Sequence, residues 1–167
     1  RAIRDDLSGG ALNDILGAAG AENVQGEEQK KLDVIANERI KTALSALPSV
    51  RGIASEEEDE VVAAHNDGEF LVTFDPLDGS SNIDINSMVG TIFSVLDCQH
   101  VSGSPETRVL SSTKYQLAAA YALYGPATLL VLTTGQSVAQ FALNEETRQF
   151  ELVRDNIRIG EKAGEFS

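Results

Sequence analysis

Leu32, Ile35, Ala36, Ile40, Ala43, Leu44 and Leu47 recur at i, i+3, i+4 spacing and predict a helix over 27–47. Pro48 closes it. Gln29, Asp33 and Asn37 form an i, i+4 polar row on another face of that helix. Upstream, Leu12, Ile15 and Leu16 share one face and predict a partial helix within 1–19, weakened by Gly9-Gly10. Beyond residue 50 the period changes. Short apolar runs predict strands near 51–55, 61–65, 69–75 and 91–97. After a polar loop, Ser102 to Ser112, four more follow at 116–124, 127–133, 137–143 and 149–153. Gly125-Pro126, Thr134-Gly135 and Asn144 to Thr147 separate the last four at short intervals, the pattern of an antiparallel meander. Helices first and strands later predict an α+β layered domain. There is no internal repeat and no low-complexity linker.

Composition narrows the chemistry. The chain has 167 residues, 42% of them hydrophobic, enough for a core and too many for a disordered chain. Aromatics are 5% and Trp is absent, so that core rests on Leu, Ile, Val and Ala. Lys and Arg number 13 against 26 Asp and Glu, a net charge of −13. Such a chain has no basic stripe with which to bind nucleic acid or an anionic membrane. If its substrate is an anion, bound divalent cations are the ordinary way past the repulsion. Cys98 is the sole cysteine, which excludes an intrachain disulfide and a Cys-based zinc site and fits a reducing cytoplasm. Asp5, Asp6 and Asp14 interrupt the first 20 residues, so they contain no signal-peptide h-region. The longest apolar run, about Leu117 to Tyr124, is too short to span a bilayer.

Three acidic segments carry candidate chemistry. Phe74-Asp75-Pro76-Leu77-Asp78-Gly79-Ser80-Ser81-Asn82-Ile83-Asp84 follows an apolar strand. Pro76 fixes φ and has no N–H, so the chain turns after Asp75. That turn gathers the Asp75 and Asp78 carboxylates and frees the Leu77 carbonyl, hard oxygen donors suited to Mg²⁺ or Mn²⁺. Gly79 leaves room at the backbone, and Ser80 and Ser81 offer hydroxyls and a helix cap to a phosphate. Asp-Pro or Asp-Gly alone is ordinary turn chemistry; two acids, a Gly and two hydroxyls in this order are not. Ser55-Glu56-Glu57-Glu58-Asp59-Glu60 reads as a solvated acidic loop or, because it ends a strand, as carboxylates delivered beside Asp75 and Asp78. Cations between so many acids are the condition for two-metal phosphoryl chemistry. Glu27 and Glu28 read as first-turn helix acids or as ligands; Asp33 lies a turn further on. His65 and His100 read as surface residues, Cys98 as a buried or edge thiol, and Tyr121 and Tyr124 as core or interface aromatics. The Asp-x-Asp-x-Asp-Gly loop of an EF-hand is missing, which argues against a Ca²⁺ module.

The string Asp75-Pro76-Leu77-Asp78-Gly79-Ser80-Ser81-Asn82-Ile83-Asp84 resembles the signature of class I fructose-1,6-bisphosphatases. Lys30-Lys31-Leu32-Asp33-Val34, Val89-Gly90-Thr91-Ile92-Phe93 and Tyr121-Ala122-Leu123-Tyr124-Gly125 look like further family segments, so the resemblance runs from about Ala19 to Ser167. Inositol monophosphatases share only the shorter Asp-Pro-Leu-Asp-Gly core, and sedoheptulose bisphosphatases differ just after the double Ser. The resemblance implies a sugar-phosphatase fold, helices on a largely antiparallel mixed sheet. It implies Mg²⁺-dependent hydrolysis of the 1-phosphate of D-fructose 1,6-bisphosphate, in gluconeogenesis, by a cytoplasmic homotetramer. It makes Glu56, Asp75, Asp78 and the Leu77 carbonyl metal ligands. Glu27 joins them at a position that is often Asp. Glu57 becomes the activator of the attacking water, helped by Asp33, and Asp78, Gly79, Ser80 and Ser81 the 1-phosphate segment. Two other readings stand beside it, a related sugar- or inositol-phosphate phosphatase and a non-catalytic regulatory or assembly module.

By the same resemblance, residues 1–167 are the family's N-terminal domain, without the half that supplies the sugar and 6-phosphate site, and the chain alone is expected to turn over little or no substrate. In family members that bind AMP, a Lys-Tyr pair and an Arg hold the nucleotide. Glu69-Phe70 and Asp97 stand at those positions. Two cations exchanged for acids repel a nucleotide phosphate. Calorimetry is therefore expected to show no AMP binding through that site; micromolar binding abolished in Asp97→Ala overturns this.

Overall fold

In a computed structural model, the structure describes residues 1–10, 12–13, 15–22, 28–98 and 115–160. The polar loop expected over Ser102 to Ser112, and His100, lie outside the described residues. All eight expected strands form: β3 (Val50–Ser55), β4 (Val62–Ala63), β5 (Phe70–Asp78), β6 (Val89–Asp97), β7 (Gln116–Tyr124), β8 (Thr128–Thr133), β9 (Val138–Asn144) and β10 (Gln149–Arg154). They join one sheet in the order β10-β9-β8-β7-β6-β5-β3-β4. β5 through β10 pair antiparallel with their sequence neighbours, the meander the turns predicted.

The N-terminal third departs from expectation. Helix α1 spans Ala2–Gly9 and ends at Gly10, so Leu12 is not on its apolar face and is 92% exposed. A two-stranded ribbon follows, β1 (Ala18–Glu22) against β2 (Glu28–Lys30). That pairing takes the residues expected to open the second helix, and α2 runs from Lys31 to Ser45. The strand expected over 61–65 contracts to Val62–Ala63 and pairs antiparallel with β3. β5 does not stop at Asp75; it carries a bulge and continues to Asp78.

Leu32, Ala36 and Ile40 recur every four residues along α2 and are buried against Val50, Ile53, Val72, Phe74, Leu77 and Val89. Ile3 of α1 joins the same core. The helices thus cover one face of the sheet at its β3–β5 end. Towards β10 the sheet is thinner and more exposed; Leu152 and Val153 are more than half exposed. Among the described residues no helix is long and apolar enough to cross a membrane.

β3 and β5 are the parallel pair, with Ile53 opposite Val72 and Ser55 opposite Phe74. Residues 56–69 connect them without a helix. The chain makes the short edge strand β4, then doubles back past the start of β3. There Ala64 N–H donates to Arg51 O (2.9 Å), His65 N–H to Val50 O (3.1 Å) and Glu69 N–H to Ser49 O (2.9 Å). Gly68 makes the closest approach: a Cβ there would lie 2.4 Å from Arg51 N and 2.6 Å from the Val50 carbonyl carbon. Both are backbone atoms and cannot rotate away. Gly68→Ala is expected to destabilise the fold by about 1–3 kcal/mol, the scale of overpacking. Urea denaturation reads it as a lowered midpoint; an unchanged midpoint contradicts the close approach.

Candidate metal and phosphate site

Parallel strands end on the same edge, so β3 and β5 deliver Glu56-Glu57 and Asp75-Asp78 side by side. Glu56 N–H donates to Phe74 O at 3.0 Å, extending the ladder by one rung. The connection from α2 to β3 is only residues 46–49, which turns the helix antiparallel to the strand. The N-terminus of α2 therefore lies over the same edge.

Two groups of bonds hold the acidic segment, one reaching from α2 and one from β2. Ser55 Oγ donates to Asn37 Oδ1 (2.7 Å), and Asn37 Nδ2 donates to Glu58 Oε1 (2.8 Å), which also accepts from Lys41 Nζ (2.5 Å). Asn37 and Ser55 are both buried. Burial of this kind requires partners, and each side chain supplies the other's. Glu57 N–H donates to Ser55 Oγ (3.2 Å), and Glu57 Oε2 accepts from Gln29 Nε2 (2.6 Å). Asp33 is buried in the first turn of α2, not beyond it, because the helix opens at Lys31. Its Oδ2 accepts the Lys30 N–H (2.7 Å) and caps the helix. The expected row of Gln29, Asp33 and Asn37 is thus split between β2 and α2.

Asp75 is the electrostatic centre. Its carboxyl is pushed up to about 6, first by burial and next by Asp78. The Leu77 N–H, donating to Asp75 Oδ1 at 3.0 Å, opposes the rise; Glu57 and Asp33 add to it. The charges of Asp78, Glu57 and Asp33, from three parts of the fold, therefore all bear on Asp75. The donors are oxygen throughout, which fits a hard divalent cation. Among the described residues, no three acidic, His or Cys side chains close around a single point. Glu27 lies outside the described residues.

Beyond the bulge, Gly79 (φ +77°) opens a short 3-10 helix over Ser80–Ile85. Ser80 and Ser81 were expected to cap it; Gly79 holds that position without a side-chain cap, and the serines form the first turn. Asp78, Gly79 and Ser81 face solvent. Asp84 of this segment meets Lys30 Nζ at 3.1 Å. Ser55 and Lys30 lie in segments the sequence singles out, but nothing there marks their own roles; Asn37 had a signal, the helical spacing from Asp33. Of the remaining candidates, Cys98 is buried and donates to Glu69 O (2.9 Å), and His65 Nε2 meets Ser45 O (2.9 Å). At the far end of β5, Phe70 stands opposite Asp97 on β6, so Glu69-Phe70 and Asp97 are neighbours.

An eight-stranded mixed sheet with helices on one face and carboxylates gathered at its parallel strand ends defines an α+β domain with an acidic site. Residues 1–155 match the model of the family described as "Fructose-1-6-bisphosphatase, N-terminal domain". The chain belongs to the fructose-1,6-bisphosphatase family. It is 57% identical over 158 residues to the "Fructose-1,6-bisphosphatase class 1" of Shewanella amazonensis, covering 95% of this chain and 49% of that protein. It is 54% identical to that of Shewanella baltica over its whole length and 51% of the relative. The chain spans about half the length of the curated relatives it matches. Among solved structures, Leishmania major fructose-1,6-bisphosphatase in holo form superposes with a TM-score of 0.89 at 36% identity, over 97% of this chain and 52% of that one. A putative sedoheptulose-1,7-bisphosphatase from Toxoplasma gondii gives 0.77 at 27% identity, over 90% and 49%.

Asn at position 75 keeps an oxygen for the Leu77 N–H and removes one of the mutually repelling charges. In metal-free buffer at neutral pH, Asp75→Asn is expected to raise the melting temperature, by about 1 kcal/mol or less in stability after solvent screening. A lowered melting temperature shows that Asp75 is held by partners that its charge requires.

Proposed function

We propose that this chain is the metal- and 1-phosphate-binding half of a divalent-cation-dependent phosphatase that converts D-fructose 1,6-bisphosphate to fructose 6-phosphate and phosphate. The observation that carries this is Asp75, half-buried at the joined ends of β3 and β5 and raised in pKa by burial and by the nearby charges of Asp78, Glu57 and Asp33. The names of the relatives at 54–58% identity support the substrate. Glu56, Asp75, Asp78 and the Leu77 carbonyl would hold Mg²⁺, or Mn²⁺ in its place, and Glu27 is a further proposed ligand. When bound, the cation neutralises phosphate charge and lowers the pKa of a coordinated water.

The chain's own groups then divide the work. Glu57, steered by Gln29 and by its N–H bond to Ser55, accepts the proton of the attacking water, with Asp33 as the second carboxylate. Gly79 gives the phosphate access to the backbone, and the Ser80 and Ser81 hydroxyls donate to its oxygens. In this role the protein acts in gluconeogenesis, in the cytoplasm, as a homotetramer. A sedoheptulose 1,7-bisphosphatase is the second reading, favoured by the Toxoplasma gondii likeness; the lower identity and Asn82-Ile83 favour the fructose substrate.

Phosphate release decides between them, assayed with and without Mg²⁺ on both bisphosphates. The protein assayed should have the relatives' full length and this chain as its N-terminal half. Mg²⁺-dependent release from fructose 1,6-bisphosphate is expected, with little or none from the 167 residues alone. Glu57→Gln is expected to lower kcat by about 10²–10⁴-fold, the range of a lost general base. Turnover unaffected by Mg²⁺ or by this substitution refutes the assignment.

A further inference from the structure

The bulge in β5 breaks the ladder at the turn that carries the proposed ligands. Asp75 pairs with Ile92 and Asp78 with Gly90, so Pro76 and Leu77 together stand opposite one residue, Thr91. Pro76 has no N–H to give. The Leu77 N–H is taken by Asp75 Oδ1. The Pro76 carbonyl is taken by a side chain: Thr91 Oγ1 donates to it at 2.8 Å. Thr91 is wholly buried, at 0% exposure, and Pro76 is buried too. A hydroxyl has one proton, and here it is committed to the carbonyl, which can only accept. The Tyr124 hydroxyl, 2.8 Å from Thr91 Oγ1, must therefore be the donor in that second bond. Burial raises the Tyr124 pKa and keeps its phenol protonated, as a donor must be.

Packing alone does not call for this arrangement. Val89, Leu77 and Phe74 nearby are apolar core residues, and valine would fill the Thr91 volume without needing a partner. Strand alternation sets Thr91 and Asp75 on opposite faces of the sheet. Thr91 thus points away from Asp75 and acts on it through Pro76.

We propose that Thr91 and Tyr124 are positioning residues for the Asp75–Ser81 turn: a Tyr124–Thr91–Pro76 relay fixes the bulge and so sets where Asp75, the Leu77 carbonyl and Asp78 stand. This rests on the metal reading above only for its consequence, not for its geometry. Two readouts on the chain separate them: hydrogen exchange of the Leu77 and Asp78 amides, and Mn²⁺ binding followed by electron paramagnetic resonance.

In Thr91→Val, exchange at these amides is expected to rise about tenfold and Mn²⁺ affinity to fall about tenfold, the scale of leaving one buried carbonyl without its donor. Far-UV circular dichroism should be unchanged. Thr91→Ser keeps the hydroxyl and is expected to restore both readouts; Tyr124→Phe should raise exchange by less. A folded Thr91→Val with wild-type exchange and affinity overturns the proposal, as does a Thr91→Ser no better than Thr91→Val. If Thr91→Val does not fold, Tyr124→Phe decides: raised exchange supports the relay, wild-type exchange refutes it. If the wild-type chain binds no Mn²⁺, the metal reading fails and exchange alone judges the relay.

Discussion

Parallel pairing of β3 with β5 is the constraint on which the site depends. An antiparallel partner would set the Glu56-Glu57 segment and the Asp75-Asp78 turn at opposite ends of the sheet. The pairing is achieved without the customary crossover helix. The connection instead folds an edge strand outward and returns across the start of β3, at a point where only a residue without Cβ fits. A glycine at one end of the strand pair thus permits the gathering of acids at the other. The short link from α2 completes it by turning the helix N-terminus to that same edge.

Gathering carboxylates is unfavourable, and the structure shows how the cost is limited. Asp75 is offset locally by the Leu77 N–H. Asp33 is occupied by the Lys30 N–H at the positive end of α2, where a negative charge is stabilised. Glu58 is tied to Lys41 and Asn37 on the helix, and Asp84 to Lys30. Asp75 keeps a raised pKa, first because it is partly buried and next because Asp78, Glu57 and Asp33 lie near it.

The large sheet was legible in the sequence because period-two burial and turn residues are local signals, and all eight of its strands lie within a few residues of where the pattern put them. Which strands pair, and in which direction, is not local, and the parallel pair was invisible to an inference drawn from hairpin turns. The β1–β2 ribbon was missed because Ala-Ala-Gly-Ala-Glu carries no alternation, and losing it misplaced the start of α2 and with it Asp33. In the site, Asp75 and Asp78 stood out since no turn requires that string. Thr91 did not: a β-branched residue in mid-strand is what any strand prefers, and its hydroxyl acquires meaning only opposite a proline in a bulge.

The two edges of the sheet differ in kind, yet both are poor templates for a further strand. At one edge β4 offers two residues. At the other, β10 is six residues long but slips register between Leu152 and Arg154 and carries charge at Glu151 and Arg154. Brevity protects the first edge; twist and charge protect the second. Growth of this sheet from molecule to molecule by backbone pairing is thereby discouraged despite the apolar side chains near β10. Any contact between copies would fall to the faces of the sheet and the helices, where side-chain complementarity, rather than the promiscuous hydrogen-bonding of an open strand, chooses the neighbour.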